Sequence, residues 1–267
     1  MMGNKLLWFV LLYIVSGTIV TGQISFQPKK AVSDYKGIIY RQEISGMIQW
    51  NTYGFGAVFR KGKIRTHYKT QYTHFELDYY KDPREINQNK NIQLLGAISK
   101  SFKYGKENYF YALKVGKGIK RHLTEKAKRK GIIIGYDFEG GGSLGFLKPY
   151  YLDIIYNEDN NANLYTIKSE RYTKENAVKF LEYNAILGRS NSGYGWDEIK
   201  IVPGIHSKFG FLFTSGVFEP TVRSLYLGLT TDIFLRKIPI MVETEEIKNK
   251  PYFINFYVCV EFGKRSN

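Results

Sequence analysis

The stretch Tyr252-Phe-Ile-Asn-Phe-Tyr-Val-Cys-Val-Glu-Phe262, near the end of the sequence, alternates between two kinds of residue. Its even-numbered positions are all apolar or aromatic, whereas its odd-numbered positions include Asn255, Cys259 and Glu261. Successive side chains of a β-strand point to opposite faces, so a period of two places each set on one face. The stretch therefore predicts a β-strand with one wholly apolar face and one mixed, partly polar face.

The same alternation recurs along the chain, at 109–116, 132–138, 150–156, 205–214 and 225–236. The 267 residues are 43% hydrophobic, 24% charged and 16% aromatic, a composition that excludes a disordered chain. Their number suits one large all-β domain or two small domains. The single cysteine excludes a disulfide scaffold and a cysteine-based zinc site.

The face opposite the apolar one distinguishes two classes of all-β protein. In a soluble β-sandwich that face meets water and collects Lys, Glu, Thr and Ser. Here it mixes Gly, Tyr and isolated charges of both signs, which is typical of the crowded polar interior of a small membrane barrel. The pattern therefore favours a transmembrane antiparallel up-and-down β-barrel, with a soluble sandwich as the alternative.

The N-terminal residues 1–22 have the three parts of a secretory signal peptide. Lys5 precedes the apolar run at 6–15, and small residues follow up to Gly22. We expect cleavage after Gly22, with a retained membrane anchor as the alternative. The mature chain then divides into an N-terminal periplasmic segment at 23–36 and a barrel domain at 37–267, and export predicts an integral protein of the outer membrane.

Eight barrel strands are predicted, at 38–50, 55–60, 65–80, 108–123, 131–156, 199–214, 222–241 and 252–262. Ten strands are the alternative, if the fifth splits at Gly140, Gly141, Gly142 and Pro149, and the glycine run itself indicates a kink or bulge. An even number of strands places both termini on the periplasmic side. The two longest loops, at 81–106 and 157–198, then lie outside the cell.

The interior of an eight-stranded barrel is just wide enough for side chains to fill. Opposite charges in so narrow a lumen should pair, because a buried charge is costly unless it is paired. We therefore expect no large diffusion pore. The predicted strands assign these residues to a lumen charge network: Lys114, Asp137, Glu139, Lys208, Asp232, Arg236 and Glu261.

The chain carries 39 basic and 24 acidic residues, a formal net charge of +15. This balance can indicate nucleic-acid binding, but export argues against it. The densest basic cluster lies at a predicted periplasmic turn, which could dock on an acidic partner or on anionic headgroups; a solvated turn is the alternative. Its basic residues are Lys120, Arg121, Lys126, Lys128, Arg129 and Lys130. A second basic set is assigned to another turn on the same side: Arg60, Lys61, Lys63, Arg65 and Lys69.

The sequence contains no convincing catalytic or metal-binding set. The four histidines lack the spacing of a metal site, and no nucleophile elbow is present. We therefore predict a non-enzymatic protein without cofactor or metal. One enzymatic alternative is kept, because some eight-stranded outer-membrane barrels modify lipid A with a histidine near a serine or an acid. His74 shares a predicted strand face with Glu76 and Asp78, and Ser207 adjoins His206.

Four stretches and the signal peptide that ends before Gln23 carry a resemblance that covers nearly all of the mature chain. The stretches are Lys120-Arg-His-Leu-Thr-Glu-Lys-Ala-Lys-Arg-Lys-Gly131, Ser143-Leu-Gly-Phe-Leu-Lys-Pro-Tyr-Tyr-Leu152, Ile201-Val-Pro-Gly-Ile-His206 and Asn255-Phe-Tyr-Val-Cys-Val-Glu-Phe-Gly-Lys-Arg265. With them the chain resembles a family of small outer-membrane β-barrel proteins of the Bacteroidota. Phe262 is also similar to the terminal aromatic residue of outer-membrane barrels. The resemblance carries over no catalytic residue.

The resemblance implies a structural or accessory role in an outer-membrane machine. The β-barrel assembly machinery and the type IX secretion apparatus both recruit small barrels in that phylum, so the link is one of analogy. The expected partners are outer-membrane lipids, lipopolysaccharide and proteins of an outer-membrane complex, and not nucleic acid. The alternatives are a lipid A-modifying enzyme and a narrow channel or small-ligand binder.

Overall fold

The computed structural model describes residues 40–66, 68–90, 93–94, 97–124, 132–157, 165–214 and 219–267. The predicted signal peptide and the segment at 23–36 lie outside these residues. Eight long strands form a closed barrel. They are β1 (Gln42–Asn51), β2 (Gly54–Thr66), β3 (Lys69–Tyr80), β4 (Asn108–His122), β5 (Ile133–Pro149), β6 (Lys200–Thr214), β7 (Thr221–Phe234) and β8 (Tyr252–Ser266).

Each barrel strand pairs antiparallel with its neighbour in sequence, and β1 also pairs with β8. Gln42 lies opposite Ser266 and Asn51 opposite Tyr257 along this closing seam. The closed up-and-down barrel of eight strands confirms the predicted fold, and the sandwich and ten-strand alternatives are wrong. Closure leaves no strand edge with unpaired backbone groups.

Several predicted strand ends are wrong: the fifth strand ends at Pro149 rather than at 156, and the eighth continues to Ser266 rather than ending at 262. The turn predicted at 61–63 is part of β2, which continues to Thr66 before the chain reverses into Lys69. The sequence predicts a seventh strand that reaches 241, but β7 ends at Phe234. Its continuation leaves the wall because Ile238 and Ile240 fold over the barrel mouth, where they are buried.

The predicted kink or bulge at the glycine run is also wrong. β5 keeps one register through Gly140, Gly141 and Gly142 against both neighbouring strands. The strand ends only at Pro149, and a separate strand begins at Tyr151. Of the three glycines, Gly141 is on the inner face, so its role depends on the lumen.

The two ends of the barrel differ. We call the turn end the one where β2–β3, β4–β5 and β6–β7 connect and β8 terminates. The opposite end, with the connections β1–β2, β3–β4, β5–β6 and β7–β8, is the loop end. The connections 81–107, 150–199 and 235–251 make the loop end the larger one, as predicted for the two longest loops.

The loop end is folded into a layer that we call the platform. A three-stranded sheet contains Tyr151–Asn157, Tyr165–Arg171 and Ile186–Arg189, and helix Ala177–Phe180 and 3-10 helix Tyr183–Ala185 lie between the last two strands in sequence. Shorter strand pairs join Asn87–Gln88 to Phe102–Lys103 and Gln93–Leu94 to Ala97–Ile98. The platform has its own buried core, formed by Phe102, Tyr150, Leu152, Ile154, Phe180, Ala185 and Ile186. No helix in the described ranges has the length and apolar character to cross a membrane.

Large apolar side chains cover the outside of the barrel. Phe256 is 71% exposed and Ile48 is 57% exposed. An apolar surface of this extent associates in water but matches the lipid-facing band of a membrane barrel. Every strand contributes to this belt, through Ile48, Phe59, Phe75, Leu113, Leu144, Phe211, Leu227 and Phe256.

Leu227 lies midway along β7 on the outer face and tests the belt. Leu227→Arg should lower the free energy of unfolding by about 2–4 kcal/mol, because it places a charge near the bilayer midplane. Thr221→Arg, at the turn end of the same strand, should cost about 1 kcal/mol or less. Reversible denaturant unfolding in lipid vesicles measures both, and equal effects would contradict a belt in lipid.

Candidate functional site: the charged barrel lumen

All carboxylates on the eight strands point into the barrel, where they are buried with five cations. The pattern follows from strand periodicity, because the residues between the apolar positions of each strand face inward. An interior of this width has no room for bulk water, so these charges need partners among the lumen side chains. The carboxylates belong to Glu43, Glu76, Asp78, Asp137, Glu139, Asp232 and Glu261, and the cations to Arg60, Lys114, Lys120, Lys208 and Arg265.

Arg60, on β2, reaches across the lumen to two carboxylates of β5. Its Nη2 lies 2.8 Å from Asp137 Oδ2 and 2.7 Å from Glu139 Oε2. The Tyr72 hydroxyl, on β3, donates to the same two carboxylates, at 2.5 Å and 2.9 Å. The guanidinium also lies 4.3 Å from the centre of the Tyr72 ring. This cluster ties three strands together near the middle of the barrel.

Lys208, on β6, extends the cluster toward the loop end. Its Nζ lies 3.1 Å from Glu139 Oε1 and 2.5 Å from Glu76 Oε2. It also donates to Gln49 Oε1 at 2.8 Å. Lys208 therefore bridges β5 and β3 and shares Glu139 with Arg60.

Lys114, on β4, is the lumen cation nearest the loop end. Its Nζ lies 2.7 Å from both Asp78 Oδ2 and Asp232 Oδ1, and 3.5 Å from Glu76 Oε1. The same ammonium donates to the Tyr80 hydroxyl at 2.8 Å, and that hydroxyl donates to Asp232 Oδ2 at 2.6 Å. Since β3 and β7 lie on opposite sides of the barrel, Lys114 connects its two walls.

A separate group of charges lies at the turn end and fastens the closing seam. Arg265 Nε, on β8, lies 2.9 Å from Glu43 Oε2 on β1. Lys120 Nζ lies 2.7 Å from Glu43 Oε1 and 3.1 Å from Glu261 Oε2. The Ser45 hydroxyl donates to Glu261 Oε1 at 2.7 Å. The first and last strands are thus joined by side chains as well as by backbone.

Tyr226 connects the seam group to the central cluster. Its hydroxyl donates to Glu261 Oε2 at 2.7 Å, and the guanidinium of Arg60 lies 5.2 Å from its ring centre. The two groups are therefore linked through the cation–π contact between Arg60 and the Tyr226 ring. The rest of the lumen is filled by the apolar cluster of Met47, Val58, Leu212, Tyr226, Tyr257 and Cys259.

Aromatic and aliphatic side chains cover the network at the loop end. The rings of Phe110 and Phe253 stack with centres 5.6 Å apart, and Tyr80 lies 5.4 Å from Phe110. Ile238, Ile240 and Met241, from the β7–β8 connection, complete this buried cluster. The lumen is therefore closed by charge pairs in its middle and by an apolar cap at its loop end.

Two histidines meet in the lumen because of the glycines between them. His74, Gly116, Gly141 and His206 occupy one register row across β3, β4, β5 and β6. The imidazoles lie over the two glycines, with their Nε2 atoms 2.9 Å apart. A Cβ on Gly141 would lie 2.1 Å from the carbonyl oxygen of Val115, so only glycine fits there. This close approach explains the central glycine of the run.

The histidine pair is part of a longer polar chain. Ser143 Oγ lies 3.0 Å from His206 Nδ1, and Glu139 Oε2 lies 3.5 Å from His74 Nδ1. The order is therefore serine, histidine, histidine, carboxylate. Ser143 and His206 are 3% and 4% exposed, and His74 and Glu139 are fully buried.

The enzymatic alternative names different partners for these histidines. Ser207 does not contact His206 in the way proposed, because its side chain is on the outer face and exposed. Glu76 and Asp78 share the inner face with His74, as predicted, but their carboxylates are held by Lys208 and Lys114. Within the described ranges, no group of His, Cys, Asp and Glu side chains is arranged to hold a metal ion.

The predicted lumen residues divide into six that lie inside and one that does not. The six are Lys114, Asp137, Glu139, Lys208, Asp232 and Glu261, all buried. Arg236 is the correction: it lies beyond the end of β7 and is exposed. The prediction continues the alternation of β7 beyond Phe234 and so places Arg236 on the inner face. The chain leaves the barrel wall at that point.

The predicted docking turn also needs a correction. Lys120 is inside the lumen and 1% exposed, because β4 continues to His122 and its parity turns Lys120 inward. Arg121 is outward and exposed. The other four members, Lys126, Lys128, Arg129 and Lys130, lie outside the described residues.

The second basic set is divided in the same way. Arg60 is 3% exposed in the lumen, whereas Lys61, Lys63 and Arg65 are exposed. The predicted second strand ends at Arg60, so the prediction assigns Arg60 to a turn rather than to the lumen. The alternation of Gly56 and Val58 with Ala57 and Phe59 already places Arg60 on the inner face. Sequence reasoning also missed Glu43 and Arg265. The same alternation, continued along the whole of β1 and β8, places both residues on the inner face.

At the loop end, outside the barrel strands, Glu85 forms ion pairs with two lysines. Glu85 binds both Lys103 and Lys106, with Lys106 Nζ 2.7 Å from its Oε1. Burial raises the pKa of Glu85, but Lys106 and the hydrogen bonds from both lysines outweigh it and hold the pKa below its usual value. Burial lowers the pKa of Lys106 to about 8, although Glu85 opposes this. These ion pairs fasten the start of the β3–β4 connection to its end.

Neither a protein-family model nor a curated protein sequence matches this chain. Solved structures that are similar to it include the following three. Ail of Yersinia pestis, solved with the heparin analogue sucrose octasulfate, is 8% identical, with 84% of this chain and 96% of that chain covered and a TM-score of 0.36. Neisserial surface protein A is 6% identical, with 85% and 96% covered and a TM-score of 0.34. A major outer membrane protein of Thermus thermophilus is 8% identical, with 84% and 98% covered and a TM-score of 0.39.

Removing the lumen cation nearest the loop end tests the network. Lys114→Met leaves Asp78 and Asp232 buried without their shared cation, so the free energy of unfolding should fall by about 3–5 kcal/mol. Arg121→Met, on the exposed face of the same strand, should change it by less than about 1 kcal/mol. Denaturant unfolding in vesicles compares the two variants. A loss for Lys114→Met no larger than that of the control would show that the lumen charges are hydrated.

Proposed function

We propose that this protein is an integral outer-membrane β-barrel that serves as a structural or accessory subunit of an outer-membrane machine, without an enzymatic activity of its own. The closed lumen carries the proposal. Ion pairs fill its middle, and the cluster of Phe110, Phe234, Phe253 and neighbouring side chains covers its loop end. A barrel closed in this way offers partners its outer wall, its turns and its platform rather than a passage.

The outer wall supports a location in a bilayer. Its apolar belt includes side chains from all eight strands, and outer membranes hold barrels of this type. The predicted signal peptide supports export. In the predicted orientation the turn end faces the periplasm and the platform faces outward, so that outer-membrane lipids and lipopolysaccharide surround the barrel.

Arg121, near the end of β4, and the basic residues that follow the strand are the proposed contact for a protein partner. With Lys120 withdrawn into the lumen, the set consists of Arg121, Lys126, Lys128, Arg129 and Lys130. Its charge favours an acidic surface on the periplasmic side. The β-barrel assembly machinery and the type IX secretion apparatus are the proposed machines, through the resemblance to small barrels of the Bacteroidota.

The alternative of a lipid A-modifying enzyme finds little support in the geometry. The Ser143–His206–His74–Glu139 chain has the residue types of a nucleophile, bases and an acid. However, the Ser143 hydroxyl faces a filled lumen, whereas a lipid substrate would lie against the outer wall. A nucleophile must lie within bonding reach of its substrate, so this polar chain favours a structural role.

The channel alternative is tested by electrical recording. Purified protein in planar bilayers should give no single-channel current at either polarity, because no open path crosses the network and the cap. The heat-dependent shift of a folded barrel on a denaturing gel, in the same sample, controls for folding. Discrete, reproducible current steps would favour a narrow channel over the accessory-subunit proposal.

The accessory role is tested by co-purification. Tagged protein extracted from native outer membranes in mild detergent should recover assembly or secretion subunits in near-equal amounts, as measured by mass spectrometry. Changing Arg121, Lys126, Lys128, Arg129 and Lys130 to Gln should abolish this recovery. The matched control changes five basic residues of the loop end to Gln: Lys174, Lys179, Lys237, Lys248 and Lys250.

The control should retain the partner because it alters the same number of charges on the opposite side. Recovery of the barrel alone, before and after crosslinking, would overturn the accessory role. Equal loss in both variants would show that the basic turn is not the contact.

A further inference from the structure

A groove of about 830 Å³ runs along the outer wall of the barrel at the turn end. It follows β3, where the short side chain of Thr73 lies between the longer side chains of Lys61 on β2 and Lys117 on β4. Most of its lining side chains belong to outward positions of the strands, including Lys61, Thr73 and Lys117. Its volume is in the range of small-molecule sites.

Lysines stand on both sides of Thr73. The strand register places Lys61 of β2 and Lys117 of β4 directly opposite Thr73. Neighbouring strands are about 4.8 Å apart, so these two residues lie about 10 Å apart across the groove. Flexible lysine side chains from both sides can reach one anionic group seated over Thr73.

The basic side continues toward the turn end along β2. Lys63 lies opposite Gln71 in the register. Arg65 Nε donates to the Gln71 side-chain oxygen at 3.0 Å, which holds the guanidinium against the groove. The turn-end half of the groove is therefore lined by cations and hydrogen-bonding groups.

The other half of the groove joins the apolar belt. Phe59 and Phe75 lie opposite each other one row nearer the barrel middle, and they are 47% and 50% exposed. Ile119 and Phe138 form a second apolar pair on the β5 side. One ligand in this groove would meet cations at one end and aromatic rings at the other.

The protein itself does not neutralise these cations. No carboxylate lines the groove, since all carboxylates of the barrel strands point into the lumen. In the part of the chain that the structure describes, Lys61, Lys63 and Lys117 have no ion-pair partner. Their counter-charge must come from outside the described protein.

We infer that this groove binds an anionic phospholipid of the leaflet at the turn end. The headgroup phosphate lies between Lys61 and Lys117, where two ammonium groups and the Thr73 hydroxyl can donate to its oxygens. The acyl chains lie against Phe59 and Phe75. The inference requires only that the barrel is in a bilayer, and it does not depend on the accessory role proposed above.

Native mass spectrometry of the full chain in detergent micelles tests this site. With phosphatidylglycerol and phosphatidylcholine of matched acyl chains, the protein should retain one phosphatidylglycerol preferentially. Lys61→Gln with Lys117→Gln should weaken that retention about tenfold or more. Arg223→Gln with Lys264→Gln is the matched control, because it removes two exposed cations at the same end, on the opposite wall.

The control should retain phosphatidylglycerol as the unaltered protein does. Equal retention of the two lipids, or equal loss in both double variants, would overturn the site and leave only diffuse attraction to the bilayer surface. Displacement of the lipid by millimolar inorganic phosphate would also overturn it, because the acyl chains would then contribute nothing. The heat-dependent gel shift confirms that each variant is folded.

Discussion

The closed barrel imposes one constraint on which the rest of the structure depends: a charge placed inside must find its partner inside. Eight strands enclose a space that side chains fill, so water cannot serve as the partner. Arg60, Lys114, Lys120 and Lys208 accordingly each contact at least two carboxylates. Sharing of this kind joins the charges into two groups, one at the seam and one that runs from Arg60 to Asp232, and Tyr226 lies between them.

Large side chains fit inside the lumen because small residues lie beside them. The long side chains of Arg60, Lys114 and Lys208 cross the interior, while glycines leave room for the rings of Tyr72, Phe110 and Tyr257. The row His74–Gly116–Gly141–His206 is the clearest case, because two absent side chains allow two imidazoles to meet. Gly141 of the β5 run therefore serves packing in the lumen, and the run leaves the strand register unchanged.

Much of this architecture could be predicted from the sequence, because a period of two determines both the strands and the face of each residue. The strand count and six lumen charges follow from that period alone. It fails where a strand end is misjudged: a β7 that is too long places Arg236 inside, and a β2 that is too short places Arg60 outside. The basic neighbours of Lys120 suggest a turn, although the alternation along β4 places Lys120 on the inner face.

Other features could not be predicted, because they depend on how strands line up around the barrel. The pairing of Lys208 with Glu139 and Glu76 requires the relative register of three strands that are far apart in sequence. The same holds for the histidine pair and for the groove between Lys61 and Lys117. Alternation within one strand carries no information about which residues of two strands stand side by side.

The seam between β1 and β8 has a consequence for how the barrel is made. Glu43 and Arg265 are 222 residues apart in the chain, so their contact forms only after the last strand has been added. Until then the sheet is open, and its charged face has neither a lipid-compatible surface nor its final partners. An open sheet would therefore be held at the membrane surface rather than within it. Closure of the seam joins the strands that are farthest apart in sequence, so it carries the largest loop-closure cost of any strand pairing in the barrel.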